Sequence, residues 1–170
     1  MSTAVSDSVV KVGTADFVRS VCSVFRDMMN VEFHPELHSR RTRPLVYVNG
    51  FTAITRFSGT IHGEFLISTD ELTAAKIAGV FQPDDGMAAV ARDREMYASM
   101  MCEVINVSAH LSIGELSETY GQLVVLPPSW VVGEYHMASY ISGMGIIDSL
   151  YGSVQCCLAL NLAGFEGGRS

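Results

Sequence analysis

Four polar side chains, Ser99, Glu103, Asn106 and His110, recur at spacings of four, three and four in an otherwise apolar segment from about Arg92 to Leu111. At about 100° per residue they point the same way, within a helical stripe roughly 60° wide. Glu95 falls at its edge, and Tyr97, Met100, Met101, Val104, Ile105, Val107, Ala109 and Leu111 fill the rest of the circumference. Surface helices ordinarily carry a broad polar face; this one has a narrow strip. On such a strip a carboxylate and a carboxamide three residues apart are neighbours. The first only accepts hydrogen bonds, and the second both accepts and donates. The ordinary alternative is a solvated face, which is what Glu and Asn on one stripe most often make. Asn is mildly unfavourable inside a helix because its side chain competes for backbone hydrogen bonds, which counts slightly toward a task for Asn106.

The elements that must position this strip follow from the chain on either side of it. Thr14 can cap a first helix running to about Asn30, with Phe17, Val18, Val21, Val24, Phe25 and Met28 on its apolar face. After a polar connection from His34 to Pro44 come two strand-like runs, Val46–Phe57 and Thr60–Ile67, joined in hairpin fashion at Ser58-Gly59. Ser68-Thr69-Asp70-Glu71 has the form of a capping box opening a helix that ends near Gly79. A loop, Gln82 to Gly86, leads to the helix with the polar strip, which the sequence stops at Gly114. Strands are expected at Gln122–Leu126, Trp130–Ile141, Met144–Asp148 and Ser153–Leu162, with turns at Gly143 and Gly152. Helices interrupting a run of hairpin-linked strands give an α+β domain: three helices packed on an antiparallel sheet of about six strands. Residues 10–163 form the domain, preceded by a flexible lead-in at 1–9 and followed by a flexible tail at 164–170.

Composition excludes several classes. A length of 170 residues suits one domain with a real core. Hydrophobic residues make up 48% and charged residues 17%, so either the core is large or a partner covers apolar surface. A net charge of −7 argues against nucleic acid, which needs a basic surface; the one basic cluster, Arg40-Arg41-Thr42-Arg43, is short and lacks aromatics. No apolar run approaches the roughly 18 residues of a membrane span, and Met1 to Ser8 lack the features of a signal peptide. Cys22, Cys102, Cys156 and Cys157 show neither disulfide nor zinc spacing and read as buried reduced thiols of a cytoplasmic protein.

Other chemistries fall away one by one. His34 and His38 have the separation of a helical metal pair, but Pro35 disfavours the helix and no metal site is expected. Gly143-Met144-Gly145 lacks the third glycine of a dinucleotide fingerprint. There is no phosphate loop and no Gly-x-Ser-x-Gly elbow. The strip is what remains.

Ser99-x-x-x-Glu103-x-x-Asn106, with a proline about twenty residues further on, resembles the signature of the CheC/CheX/FliY family, chemotaxis proteins that dephosphorylate the response regulator CheY. The proline, Pro128, lies one residue closer to the asparagine than the family spacing has it, and Pro127 two closer. The order of elements fits as well, so the resemblance spans about residues 10 to 163. One copy of the motif is present, since Val24–Asn30 offers only Asp27 and Asn30, which is similar to the single-site CheX type.

The resemblance implies a homodimer formed partly through sheet edges, for which the apolar run Cys156–Leu162 is a candidate if it lies at an edge; the alternative is a central strand. It implies that Asn106 enters the partner's site and orients the water attacking an aspartyl phosphate, that Glu103 engages a lysine there, and that Ser99, Glu95, His110 and Pro128 contact the partner. The Mg2+ belongs to the partner, and the chain needs no cofactor of its own. Two other readings compete. One is a non-catalytic module that binds a response regulator or a flagellar component; the other, suggested by nine methionines, is a small-molecule sensor.

Overall fold

A computed structural model describes residues 2–36, 43–79 and 86–161. Its elements are α1 (Ser2–Met29), β1 (His34–Glu36), β2 (Arg43–Gly59), β3 (His62–Thr69), α2 (Glu71–Ile77), α3 (Met87–Arg92), α4 (Arg94–Tyr120), β4 (Leu123–Val125), β5 (Ser129–Ser149) and β6 (Gly152–Asn161). The six strands make one sheet in the order β1-β5-β6-β3-β2-β4, antiparallel at every pairing. The class is the expected α+β.

β5 organises the sheet. Its first half pairs with β2, from Ile54↔Ser129 to Leu45↔Ala138, and its second half pairs with β6, from Ile141↔Leu160 to Ser149↔Gly152. Because β2 also pairs with β3, and β3 with β6, the pairings close a circuit, β2–β3–β6–β5–β2. Strand side chains alternate between the two faces. Phe51, Ala53, Phe57, Phe65, Ile67, Cys156, Leu158 and Leu160 join the core beneath the helices. Val48, Ile54, Leu66, Cys157 and Ala159 form a second buried cluster containing no helical residue. There the sheet covers itself, as barrels do.

Glu64 closes that second face. Its carboxylate is nearly buried and accepts from Arg56 Nε at 2.7 Å and from the Tyr135 hydroxyl at 2.8 Å. One acid thus ties β2, β3 and β5 together, and a buried carboxylate held by a guanidinium and a phenol is a satisfied one. Burial pushes the Tyr135 phenol up to about 12, and the hydrogen bond to Glu64 adds to the effect.

Several local expectations are corrected. α1 begins at Ser2, so residues 2–9 are helical where the sequence predicts an open segment. Thr14 lies inside it, and its hydroxyl donates back to the Val10 carbonyl at 2.6 Å instead of capping. The helix ends where expected, at Asn30, which takes the left-handed conformation with φ 54°. The cap of α2 is Asp70, not Ser68; its carboxylate accepts from the Thr73 amide and hydroxyl. Among the described residues helices number four, because a six-residue helix, α3, precedes α4 and breaks from it at Asp93. α4 runs through Gly114 to Tyr120. One exposed glycine costs a helix only about 1 kcal/mol, whereas the continuation buries Leu116 almost fully, worth roughly 1.5–3 kcal/mol. The expected loop from Gln82 and the tail from residue 164 lie outside the described residues.

The expected turn at Gly143 is absent: β5 passes straight through it. Gly143 and Gly145 are there for α1, whose residues Val10, Thr14 and Val18 lie one helical turn apart along them. A Cβ on Gly145 would stand 2.7 Å from Val18 Cγ2, and one on Gly143 would strike Thr14. Cys156–Leu160 lies in β6, between β5 and β3, fully buried on both faces. The run is central and offers no edge for dimerisation; the outer strands are β1 and β4.

Gly145→Ala is accordingly expected to destabilise the fold by about 1–3 kcal/mol through overpacking. Urea unfolding reads this directly, and a variant as stable as the parent would show that α1 can lift off β5 without cost.

Candidate functional site

α4 is buried along most of its circumference. Tyr97, Ala98, Met101, Val104, Ile105, Ser108, Ala109, Ser112 and Leu116 turn inward, and the helix touches α1, α2, β2 and β4. Glu95, Ser99, Glu103 and His110 are exposed, and Asn106 is half-buried between them. The strip read from the sequence therefore lies on the solvent side of α4, together with Met96, Leu111, Glu115 and Glu118. Among the described residues no side chain holds the Glu103 carboxylate or the Asn106 carboxamide. His110 is engaged locally, with Nδ1 2.8 Å from the Asn106 backbone carbonyl.

Pro128 lies outside α4. It sits half-buried in the connection between β4 and β5. That connection is pinned to β2: the Leu126 amide donates to the Arg56 carbonyl, and the Thr55 hydroxyl donates to the Leu126 carbonyl, both at 2.7 Å. Two residues past the proline, Trp130 stacks on Phe51 at 6.0 Å, and Phe51 meets Tyr97 of α4 edge-on at 5.4 Å. A ladder of three rings thus runs from the start of β5 to the N-terminal half of α4.

Sequence reasoning missed the groups that anchor this end of the helix. Glu71 Oε1, at the start of α2, accepts from Arg94 Nε and from the Tyr97 hydroxyl, each at 2.6 Å. Partial burial works to raise the Glu71 carboxyl, but the hydrogen bonds from Arg94 and Tyr97 outweigh it and hold it below its ordinary value. Burial raises the Tyr97 phenol to about 12, with its bond to Glu71 adding to the shift. The spacing of Glu71 from Arg94 spans a loop, so no periodicity signals the contact. Also unread was an apolar border along one side of the strip, where Met96 is 58% and Leu111 64% exposed.

The thiols take no part. All four are unpaired, and burial pushes Cys22 and Cys102 up to about 11 and Cys157 to about 12. Such groups are poor nucleophiles at neutral pH. Among the described residues no three His, Cys, Asp or Glu side chains gather to hold a metal, and no helix is long and apolar enough to cross a membrane.

The Glu71 anchor has a sign that can be checked. Its carboxyl titrates lower when folded than its ordinary 4.5, so its contribution is complete above that value and is lost as pH falls through the folded one. Glu71→Gln should therefore flatten the acid side of the stability profile. Tyr97→Phe should cost about 1 kcal/mol at neutral pH. Urea midpoints at about pH 6 and about pH 3.5 test both; an unchanged acid slope in Glu71→Gln would place the titration elsewhere.

No protein-family model and no curated relative matches the sequence. Solved structures match the fold. The chemotaxis protein CheX of Desulfovibrio desulfuricans superposes with a TM-score of 0.67 at 14% identity, over 87% of this chain and 98% of that one. The CheX–CheY–BeF3–Mg2+ complex of Borrelia burgdorferi matches at 0.64 and 20% identity, over 86% and 96%. FliY of Thermotoga maritima matches at 0.59 and 12%, over 98% and 96%. The fold of this chain is thus shared with the CheX and FliY proteins.

Proposed function

We propose that the chain hydrolyses the aspartyl phosphate of a CheY-like response regulator, with Asn106 and Glu103 as the groups that enter the regulator's site. The observation that carries this reading is the pair itself. A carboxamide and a carboxylate stand side by side on the free face of a helix clamped by a core and an ion pair, and no neighbour among the described residues claims either. A solvated helix face has no need of such a rigid mount. The matching fold in a CheX–CheY complex supports the choice of partner.

The chemistry needs little from this chain. An aspartyl phosphate breaks down when water attacks in line, so acceleration comes from positioning and charge. The Asn106 oxygen accepts from the attacking water while its nitrogen donates to a phosphoryl oxygen. Glu103, one turn back, pairs with a lysine of the regulator and holds the complex in register. Ser99, Glu95 and His110 border the contact, and Pro128 meets the regulator from the β4–β5 connection. The Mg2+ is the regulator's own. The reading takes the chain as a cytoplasmic homodimer joined at an outer strand, β1 or β4, and not at β6.

The test is the decay of a phosphorylated CheY-type regulator with and without the protein. Faster decay that drops about 100-fold in Asn106→Ala, with the unfolding midpoint kept, supports the assignment. Stimulation undiminished by that change sinks it. Unchanged decay with binding retained assigns the chain instead to the non-catalytic docking class.

A further inference from the structure

We propose that the apolar border of α4, formed by Met96, Met100, Val107 and Leu111, is the surface that sets affinity for the response regulator. The inference rests on the reading above and divides the labour within it: the polar strip governs turnover, and the ledge beside it governs capture.

Geometry makes the four residues one surface. They recur at four, seven and four, so they line a single side of the helix, immediately next to Glu103, with Asn106 on the far edge of the polar strip. Met100 and Val107 are half-buried and packed on the main core, which fixes the ledge from beneath. Met96 and Leu111 stand outward at its two ends. Apolar side chains of this size on the solvent side of a helix mark a contact surface, and a few apolar anchors commonly carry most of an interface's energy. Methionine adds adaptability, since its unbranched chain fills irregular gaps.

Charge says what kind of surface the ledge receives. The outward side of α4 carries Glu95, Glu103, Glu115 and Glu118. Its one Lys or Arg, Arg94, is bonded to Glu71. The complementary partner therefore presents an apolar patch bordered by basic side chains. Docking such a patch removes water beside Glu103, which strengthens a pairing with a lysine that would be weak in open solvent.

Rates of phosphate release, measured over a range of phosphorylated regulator, separate the two roles. Leu111→Ser is expected to raise the half-saturating concentration about tenfold, as loss of one apolar anchor does, while the rate at saturation falls far less. Asn106→Ala does the reverse. The urea midpoint of Leu111→Ser should match the parent, because the side chain is mostly outside the core. If its half-saturating concentration is unchanged, or only its saturated rate falls, the ledge is not the capture surface. The proposal is equally overturned if Leu111→Ser alters self-association of the free protein and leaves capture intact, since the ledge then serves a second copy. If the parent binds without accelerating decay, the phosphatase reading fails alone; direct titration of the phosphorylated regulator then decides the ledge, by a tenfold weakening in Leu111→Ser or by none.

Discussion

Enclosure of α4 is the constraint on which the rest of this molecule depends. A helix carrying Tyr97, Met101, Val104, Ile105 and Leu116 in its inner faces cannot stand alone in water. α1 covers one flank, β2 and β4 support another, and α2 holds its start through Glu71. Once those surfaces are buried, one side of the helix is left to solvent, and it presents Ser99, Glu103 and Asn106. Rigidity at that face is a by-product of packing, and positioning chemistry needs rigidity more than it needs reactive groups.

The sheet meets the same demand from below. Its central strands, β3 and β6, are buried on both faces, one against the helices and the other within the circuit of strands, so Phe65–Ile67 and Cys156–Leu160 are continuously apolar. Cys156 and Cys157 are adjacent yet belong to different cores, as the alternation of a strand requires. The buried charge on the self-covered face, beside the Thr52–Ser68 hydroxyl pair, is Glu64. Its two partners convert a costly buried charge into a joint between three strands.

What the residues disclosed in advance, and what they did not, divides along physical lines. The polar strip was legible because a helix repeats at a fixed angle and a narrow stripe of Glu, Ser and Asn stands out against Met, Val and Ile. The hairpin at Gly59 and the turn at Gly152 were legible for a similar reason, since both glycines take positive φ. Gly143 misled because glycine serves two ends. It permits turns, and it also permits another backbone or side chain to come close; only the packed α1 distinguishes them. Thr14 misled in the same way, being equally able to cap a helix and to bond within one. The anchor at Glu71 and the stack of Trp130, Phe51 and Tyr97 were invisible, because each joins residues that only tertiary folding brings together.

The passage of β5 from one side of the sheet to the other limits how such a chain can be lengthened or divided. A strand paired with β2 in its first half and with β6 and β1 in its second is the seam that unites the two sides. One extra residue near Ile141 would throw one half out of register with the other, and every side chain beyond it would face the wrong core. The neighbouring turn is different: Leu150 is 84% exposed and ends no pairing but its own hairpin. Added sequence, a fusion or new chain ends belong at that turn, the point in this half of the molecule where growth leaves both cores intact.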